Sequence, residues 1–406
     1  MESTHRNSSH PKAMPGFCLL LVVLFSSLTI PEIASSATIV KTLPGYDGEL
    51  PFSMETGYIG VGETDSVQLF YYFVKSQRSP SLDPLILWLA GGPGCSALLA
   101  FFYESGPLSF IYDGYNGSLP SLRLNPYTWT KALNIIYVDQ PVGTGFSYSK
   151  TQEGYANSDD TTSAQLIYQF LRKWLLEHPE YISNQMYVNG DSYSGVIVPL
   201  GYVLGSPKTD TFVDSNSRLS FANRLGLIPD ELFLLIKEIN LQQVTEPTCG
   251  FASPEPTEAT VNWERRRSLR EKTQDLLLSH NKDQAYWCRS YQQVLAGIWA
   301  NDKTVQAALN VREVGKVLTQ FIIGDHDMSV PHIATREWIQ TLNLTLGDSW
   351  RAWYHNGQVA GYTEEYKLND YVLDFVTVKN GGHIAALYKQ EECSAMGDRW
   401  FAHYPL

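Results

Sequence analysis

Three groups able to run nucleophilic catalysis stand just past the ends of apolar runs in this sequence: Ser192, Asp327 and His383. Ser192 lies in Val188-Asn189-Gly190-Asp191-Ser192-Tyr193-Ser194-Gly195, entered from Met186-Tyr187-Val188 and left through Val196-Ile197-Val198-Pro199-Leu200. Small residues flank the serine at two before and two after, where a larger side chain would collide across a tight strand-to-helix turn. Such a turn holds serine in strained backbone and projects its Oγ into a cleft. On its own the stretch is equally a Gly/Ser surface turn. Asp327 ends Gly324-Asp325-His326-Asp327, after the run Thr319–Ile323, and His383 ends Lys379-Asn380-Gly381-Gly382-His383, after Leu373–Val378. Serine needs a base to become nucleophilic, histidine can take and return the proton near neutral pH, and an acid fixes the imidazole tautomer. Asp325 competes with Asp327 for the acid's role, whereas His326, His178 and His332 read as structural or surface residues.

These groups need strands to deliver them. Pro84–Leu89 is a continuous apolar run, as expected of a strand buried on both faces, and it ends in Ala90-Gly91-Gly92-Pro93-Gly94-Cys95-Ser96. Glycines at a strand end let backbone N–H groups face a ligand, so this loop is placed to donate to an oxyanion. Asn134–Asp139 is a second buried strand and delivers the loop Gln140–Tyr148. Residues 160–178 have helical period, with Leu166, Phe170, Trp174 and Leu175 on one face. Gly57–Val61 and Val67–Val74 read as an antiparallel start to the sheet, and a helix over about Ala385–Phe401 closes the chain. Strands alternating with helices predict a mostly parallel α/β sheet, and the order Ser, Asp, His is that of the α/β-hydrolase triad. From about 212 to 314 the sequence turns helical and polar, which predicts a cap insertion lying over the sheet.

At 406 residues the chain can bury a large core, and 44% hydrophobic and 13% aromatic content fit a globular protein. A net charge of −12 disfavours nucleic acid as a partner. The one basic run, Arg265-Arg266-Arg267, reads as a solvated helical face. Residues 1–37 read as a signal peptide: Arg6 and Lys12 supply charge, Phe17–Ile30 is the apolar stretch, and Ala34-Ser35-Ser36-Ala37 offers small residues for cleavage. That stretch is short for a membrane span, and its removal leaves a soluble chain, 38–406, in the secretory route. The sequons at Asn116 and Asn343 are usable there. Cys18 leaves with the signal, and no spacing of Cys95, Cys249, Cys288 and Cys393 resembles a zinc site, so neither metal nor cofactor is expected.

With these motifs in hand, the chain resembles the plant serine carboxypeptidase-like family from Leu43 to Leu406. The landmarks are Trp88–Ser96, Asp139–Tyr148, the Ser192 turn, Gly324–Asp327 and Gly381–His383. The resemblance implies Asp327 as the acid and the N–H groups of Gly92 and Tyr193 as oxyanion donors. It also implies a disulfide between Cys95 and Cys288, with Cys249 left unpaired, while Cys393, in the terminal helix, is expected to be a buried thiol. Carboxypeptidases of the family grip a peptide carboxylate with an Asn before the Gly-Gly and two glutamates sharing a proton. Here those positions hold Ala90, before Gly91, and the acids Glu104 and Asp191. Alanine cannot donate to a carboxylate. The GDSYSG turn and the Ile-Ala-Ala-Leu-Tyr-Lys after His383 resemble the acyltransferase branch, which moves an acyl group from a 1-O-glucose ester to a small-molecule acceptor.

Three internal segments of the family pattern are missing. Only about ten residues separate Ser192 from the strand-like Gly201–Gly205, whereas a parallel crossover needs a dozen or more. A cysteine-bearing cap segment is absent after Ile239, and a stretch is absent between Val314 and Thr319. The expectation is therefore an acyltransferase of the secretory pathway, vacuolar or extracellular. A carboxypeptidase acting on peptide C-termini and an inactive truncated isoform are the alternatives.

Overall fold

The computed structural model describes residues 37–112, 115, 117–156, 159–198, 202–205, 214, 217–218, 221–223, 225, 289–312, 330–368, 371–402 and 404–406. Ten strands come first in the chain: β1 Thr38–Val40, β2 Met54–Val61, β3 Val67–Val74, β4 Leu85–Leu89, β5 Leu108–Phe110, β6 Leu122–Leu124, β7 Asn134–Val138, β8 Tyr148–Ser149, β9 Met186–Asp191 and β10 Tyr202–Gly205. The main sheet runs β1-β2-β3-β7-β4-β9-β10, with β8 beside β3. Its first half is antiparallel, as β2 and β3 pair in a hairpin. Its second half is parallel: β7, β4, β9 and β10 run the same way, so the loops that follow them emerge on one edge. The expected α/β architecture is present.

The central strands are mostly apolar because both faces are covered. Alternate residues divide between two cores. Phe70, Tyr72, Ile86, Trp88, Ile135 and Tyr137 face one, together with Leu295, Trp299, Val305 and Leu309. Those four come from α2 (Arg289–Ala300), α3 (Lys303–Ala308) and the residue after it. Trp299 Nε1 also donates to Pro44 O at 2.7 Å. Tyr71, Phe73, Leu85, Leu87, Leu89 and Ile136 face the other core, against α1 (Asp160–Glu177). The buried stripe of α1 is Ser163, Ile167, Phe170 and Trp174. Leu166 and Leu175, expected in that stripe, pack at its margin. Each large apolar side chain buried here contributes roughly 1.5–3 kcal/mol.

At the far end of α1 sits a buried polar group centred on His178, one of the histidines expected to be structural or surface. His178 stacks on Trp174 with ring centroids 4.0 Å apart. Its Nδ1 lies 3.0 Å from Trp174 O and its Nε2 2.9 Å from Glu55 Oε1. Tyr71 Oη donates to the same carboxylate oxygen at 2.6 Å.

A second sheet is antiparallel, β11 (Thr345–His355), β12 (Gln358–Leu368) and β13 (Tyr371–Val378). The two-residue turn Asn356-Gly357 joins β11 to β12 with φ of 47° and 73°. Helix α4 (His332–Thr341) precedes this sheet, and α5 (Gln390–Phe401) follows it. The expected terminal helix over 385–401 is interrupted: Ala385–Tyr388 forms one turn, and Lys389, at φ −137°, breaks it from α5. The signal segment, the Arg265–Arg267 run and most of the cap stretch lie outside the described residues. Among the described residues no helix is long and apolar enough to cross a membrane.

The short crossover still closes. Tyr202–Gly205 pairs in parallel with Val188–Asp191. The ten residues between Asp191 and Tyr202 begin with a tight 3₁₀ turn over Ser192–Val196, where a full helix would be expected.

Candidate active site

Ser192 occupies the first position after β9, with φ +56°. A left-handed backbone at a non-glycine residue costs of order 1–3 kcal/mol and is kept where the surroundings enforce it. Here they do: buried Ser194 sends its Oγ to Leu89 O at 3.0 Å and Asp191 O at 2.6 Å, tying the turn to the ends of β4 and β9. Ile197 and Val198 N–H both donate to Ser194 O. Ser194 was legible in the sequence only as a small residue, and its bracing role appears once the strands are paired. Ser192 itself remains half-buried at the parallel edge of the sheet.

The glycine loop after β4 meets this turn. A Cβ on Gly91 would collide with Ser192 Cβ and lie 2.6 Å from Asp191 O and 2.9 Å from Tyr193 N. Only glycine admits that approach. Gly92 has φ +115°, and Cys95 N–H donates to Gly91 O at 3.1 Å to close the loop's turn. The backbone between Gly91 and Gly92 and the N–H of Tyr193 therefore stand side by side. A cavity of about 320 Å³ opens beside them, lined by Ala90, Gly91, Gln140, Asp160, Tyr193 and Ile197 among others. Tyr193 Oη donates to Asp160 Oδ2 at 3.0 Å across it.

Glu104 ends a short π-helical turn, Ala100–Glu104, and accepts a hydrogen bond from Trp88 Nε1 at 2.9 Å. Burial pushes its carboxyl up to about 7, against the Trp88 hydrogen bond that favours the anion. Asp191, also buried, ends β9. Leu89 pairs with Gly190 and Trp88 with Asn189, so the next residues, Ala90 and Asp191, continue the register on the face that Trp88 presents to Glu104.

His383 is buried, and burial holds its imidazole well below the usual histidine range. It follows β13 through a turn in which Asn380 has φ +62°. Ile384, next to it, belongs to the core that holds Phe101 and Tyr103, and Ala385–Tyr388 packs on Ala100–Glu104. These contacts dock the His383 segment on the turn that carries Glu104. Asp327 and its competitor Asp325 lie outside the described residues, as do Cys249, Cys288 and Asn116. Cys95 is buried in the glycine loop, and Cys393 is buried beside Trp353 and Val378. Asn343 is exposed in the turn between α4 and β11.

A further buried acid, Asp139, outside the expected site residues, is central to the loops at this edge. Its signal is its place directly after the apolar run Ile135–Val138, where a charged residue without a task is costly.

Fold and turn together define an α/β-hydrolase fold, with Ser192 on the tight turn after β9. Comparison with known proteins narrows the class. A family model for serine carboxypeptidases matches residues 44–200 and 315–403. The chain is 39% identical over 455 aligned positions to "Serine carboxypeptidase-like 2" of Arabidopsis thaliana, covering 98% of this chain and 100% of that protein. It is 40% identical over 439 positions to "Serine carboxypeptidase-like 1" of the same plant, covering 95% and 97%. Among solved structures it is similar to the prohormone-processing carboxypeptidase Kex1 of Saccharomyces cerevisiae, with a TM-score of 0.59 and 19% identity over 87% of this chain and 91% of that one. The chain belongs to the serine carboxypeptidase family. The 455-position alignment is longer than the 406-residue chain, so that relative carries residues with no counterpart here.

Proposed function

We propose that this protein is a serine carboxypeptidase-like acyltransferase that works through an acyl-serine on Ser192. Ser192 Oγ attacks the carbonyl of a 1-O-acylglucose while His383 takes its proton, and Asp327 holds the imidazolium. The N–H groups of Gly92 and Tyr193 stabilise the oxyanion. Glucose leaves with the proton from His383. A hydroxyl or amine acceptor then attacks the acyl-serine, gives its proton to His383, and Ser192 recovers it as the acylated product departs.

The observation that carries this assignment is Ala90. It lines the cavity beside the serine turn, and its methyl offers no hydrogen bond to a peptide carboxylate. Delivery to the secretory pathway, with the vacuole or the extracellular space as destination, follows from the proposed signal peptide over residues 1–37. The exposed Asn343 would carry glycan there.

The test offers the purified protein 1-O-acylglucose donors with an alcohol acceptor and, side by side, peptides with free C-termini. Acyl transfer that disappears in Ser192→Ala is expected. Faster release of C-terminal residues would make the protein a carboxypeptidase. Failure of Ser192 to react even with a fluorophosphonate would make it the inactive isoform that the ten-residue crossover suggests.

A further inference from the structure

Asp139 is fully buried at the end of β7, and both loops at the site are built around its carboxylate. Oδ1 accepts from Ser96 Oγ at 2.7 Å and from Ala97 N–H at 2.8 Å, which are the last residues of the glycine loop. Oδ2 accepts from Phe146 N–H at 2.8 Å and Tyr72 Oη at 3.4 Å. Its backbone carbonyl accepts from Ser147 Oγ at 2.6 Å. Gly145, at φ +55°, comes so close that any side chain there would strike the carboxylate. The neighbouring Gln140 holds the loop's other end, donating from Nε2 to Ala90 O at 3.1 Å. Consecutive residues thus tether both ends of the loop 90–97, and Gly92 sits between the tethers.

We propose that Asp139 is a positioning residue for acyl transfer: its carboxylate fixes the glycine loop so that the Gly92 N–H meets the developing oxyanion. The proposal rests on Gly92 being an oxyanion donor, as set out above. The carboxylate is an acceptor at both oxygens, so replacing one oxygen by an NH₂ turns a donor against Phe146 N–H or against Ser96 and Ala97. The loop then shifts at one tether while the cavity lining stays. Displacements of about 1 Å at a reacting group cost up to 10²-fold in rate.

Burial, partly offset by the Ser96, Phe146 and Ala97 hydrogen bonds, pushes the Asp139 carboxyl up to about 6. The fold therefore favours the protonated acid, and the charged form that organises the loop is kept at some cost in stability. The titratable groups that feel its charge are Tyr72 from β3 and Tyr58 from β2, with the Arg312 guanidinium beyond, over the Tyr58 ring.

The test is Asp139→Asn. Expected are a folded variant with a kcat about 10- to 100-fold lower and a KM within twofold. Wild-type kcat should also fall as pH drops through about 6, with that limb displaced in the variant. Hydrogen exchange of the 91–97 amides should quicken in the variant without global unfolding. Unchanged kcat, or unchanged exchange in 91–97, overturns the proposal. Fluorophosphonate labelling of wild-type Ser192 reports separately on the acyl-serine. If that labelling fails, the acyltransferase assignment falls, and exchange in 91–97 alone decides the role of Asp139.

Discussion

Gly91→Ala adds one methyl where the glycine loop touches the Ser192 turn. Gly91 is absent from the residues with positive φ, so alanine suits its backbone and the perturbation is the contact alone. That methyl would collide with Ser192 Cβ and press on Asp191 O at 2.6 Å and Tyr193 N at 2.9 Å. Two of the three are backbone, which cannot rotate away. Overpacking of this kind costs about 1–3 kcal/mol in stability. The loop and the turn must part, which pulls the Gly92 and Tyr193 N–H groups away from one oxyanion position. Loss of one such donor costs about 10²–10³ in rate. Gly94→Ala is the control. It strains a φ of +88°, but its nearest neighbour is Thr144 Oγ1 at 3.6 Å, so it imposes conformational strain without the collision. The assay is the second-order rate of fluorophosphonate labelling at Ser192. Gly91→Ala should be slowed by about 10²-fold or more, and Gly94→Ala by less than about tenfold. A Gly91→Ala protein that stays folded and labels within threefold of the wild type would refute the apposition of loop and turn as the basis of the site.

Ala90→Asn places an amide in the cavity beside Ser192 and should raise release of peptide C-terminal residues relative to acyl transfer by about tenfold, the worth of roughly one hydrogen bond to a charged group; an unchanged ratio argues against position 90 as the branch point. Glu55→Gln should destabilise the fold by roughly 3–5 kcal/mol near pH 6, measured by denaturant unfolding, because it breaks a buried ion pair. Burial lowers the His178 pKa, but Glu55 outweighs it and the net direction is up; burial raises that of Glu55, but His178 and Tyr71 outweigh it and the net direction is down. The pair's contribution is thus complete between the ordinary values of 4.5 and 6.5, fading as pH rises through the folded His178 pKa or falls through that of Glu55, and the variant should lose this dependence. Glu104→Gln should be more stable than the wild type at pH 8 and nearly equal at pH 4.5, since the fold prefers the neutral acid and the wild type loses that preference as pH rises through about 7. Equal unfolding curves at pH 8 would contradict a neutral Glu104.

Much of this edge of the sheet was legible because strands buried on both faces leave unbroken apolar runs. Leu85–Leu89 and Asn134–Val138 became β4 and β7, and the glycines after β4 mark where two backbones touch. Helical period located α1, although its stripe is centred one residue away from the expected one, since Ile167 faces the sheet more fully than Leu166. The β11–β12 hairpin went unread despite the Asn356-Gly357 turn. Its first strand, β11, is largely exposed, so it lacks the apolar alternation that draws attention to a hairpin. The Glu55–His178 pair joins residues 123 apart in sequence, and the donors around Asp139 come from β3 and two loops. Such networks exist only after the strands have paired, and residue spacing cannot encode them. The crossover departs in the opposite sense: ten residues are few for a parallel connection, yet Tyr202–Gly205 pairs with Val188–Asp191.

The most direct measurement is intact-protein and peptide mass spectrometry after brief exposure to a 1-O-acylglucose without acceptor. The account predicts one acyl group on the peptide containing Ser192, absent in Ser192→Ala and discharged when a hydroxyl acceptor is added. An unmodified Ser192 in a protein that releases C-terminal residues from peptides would contradict it.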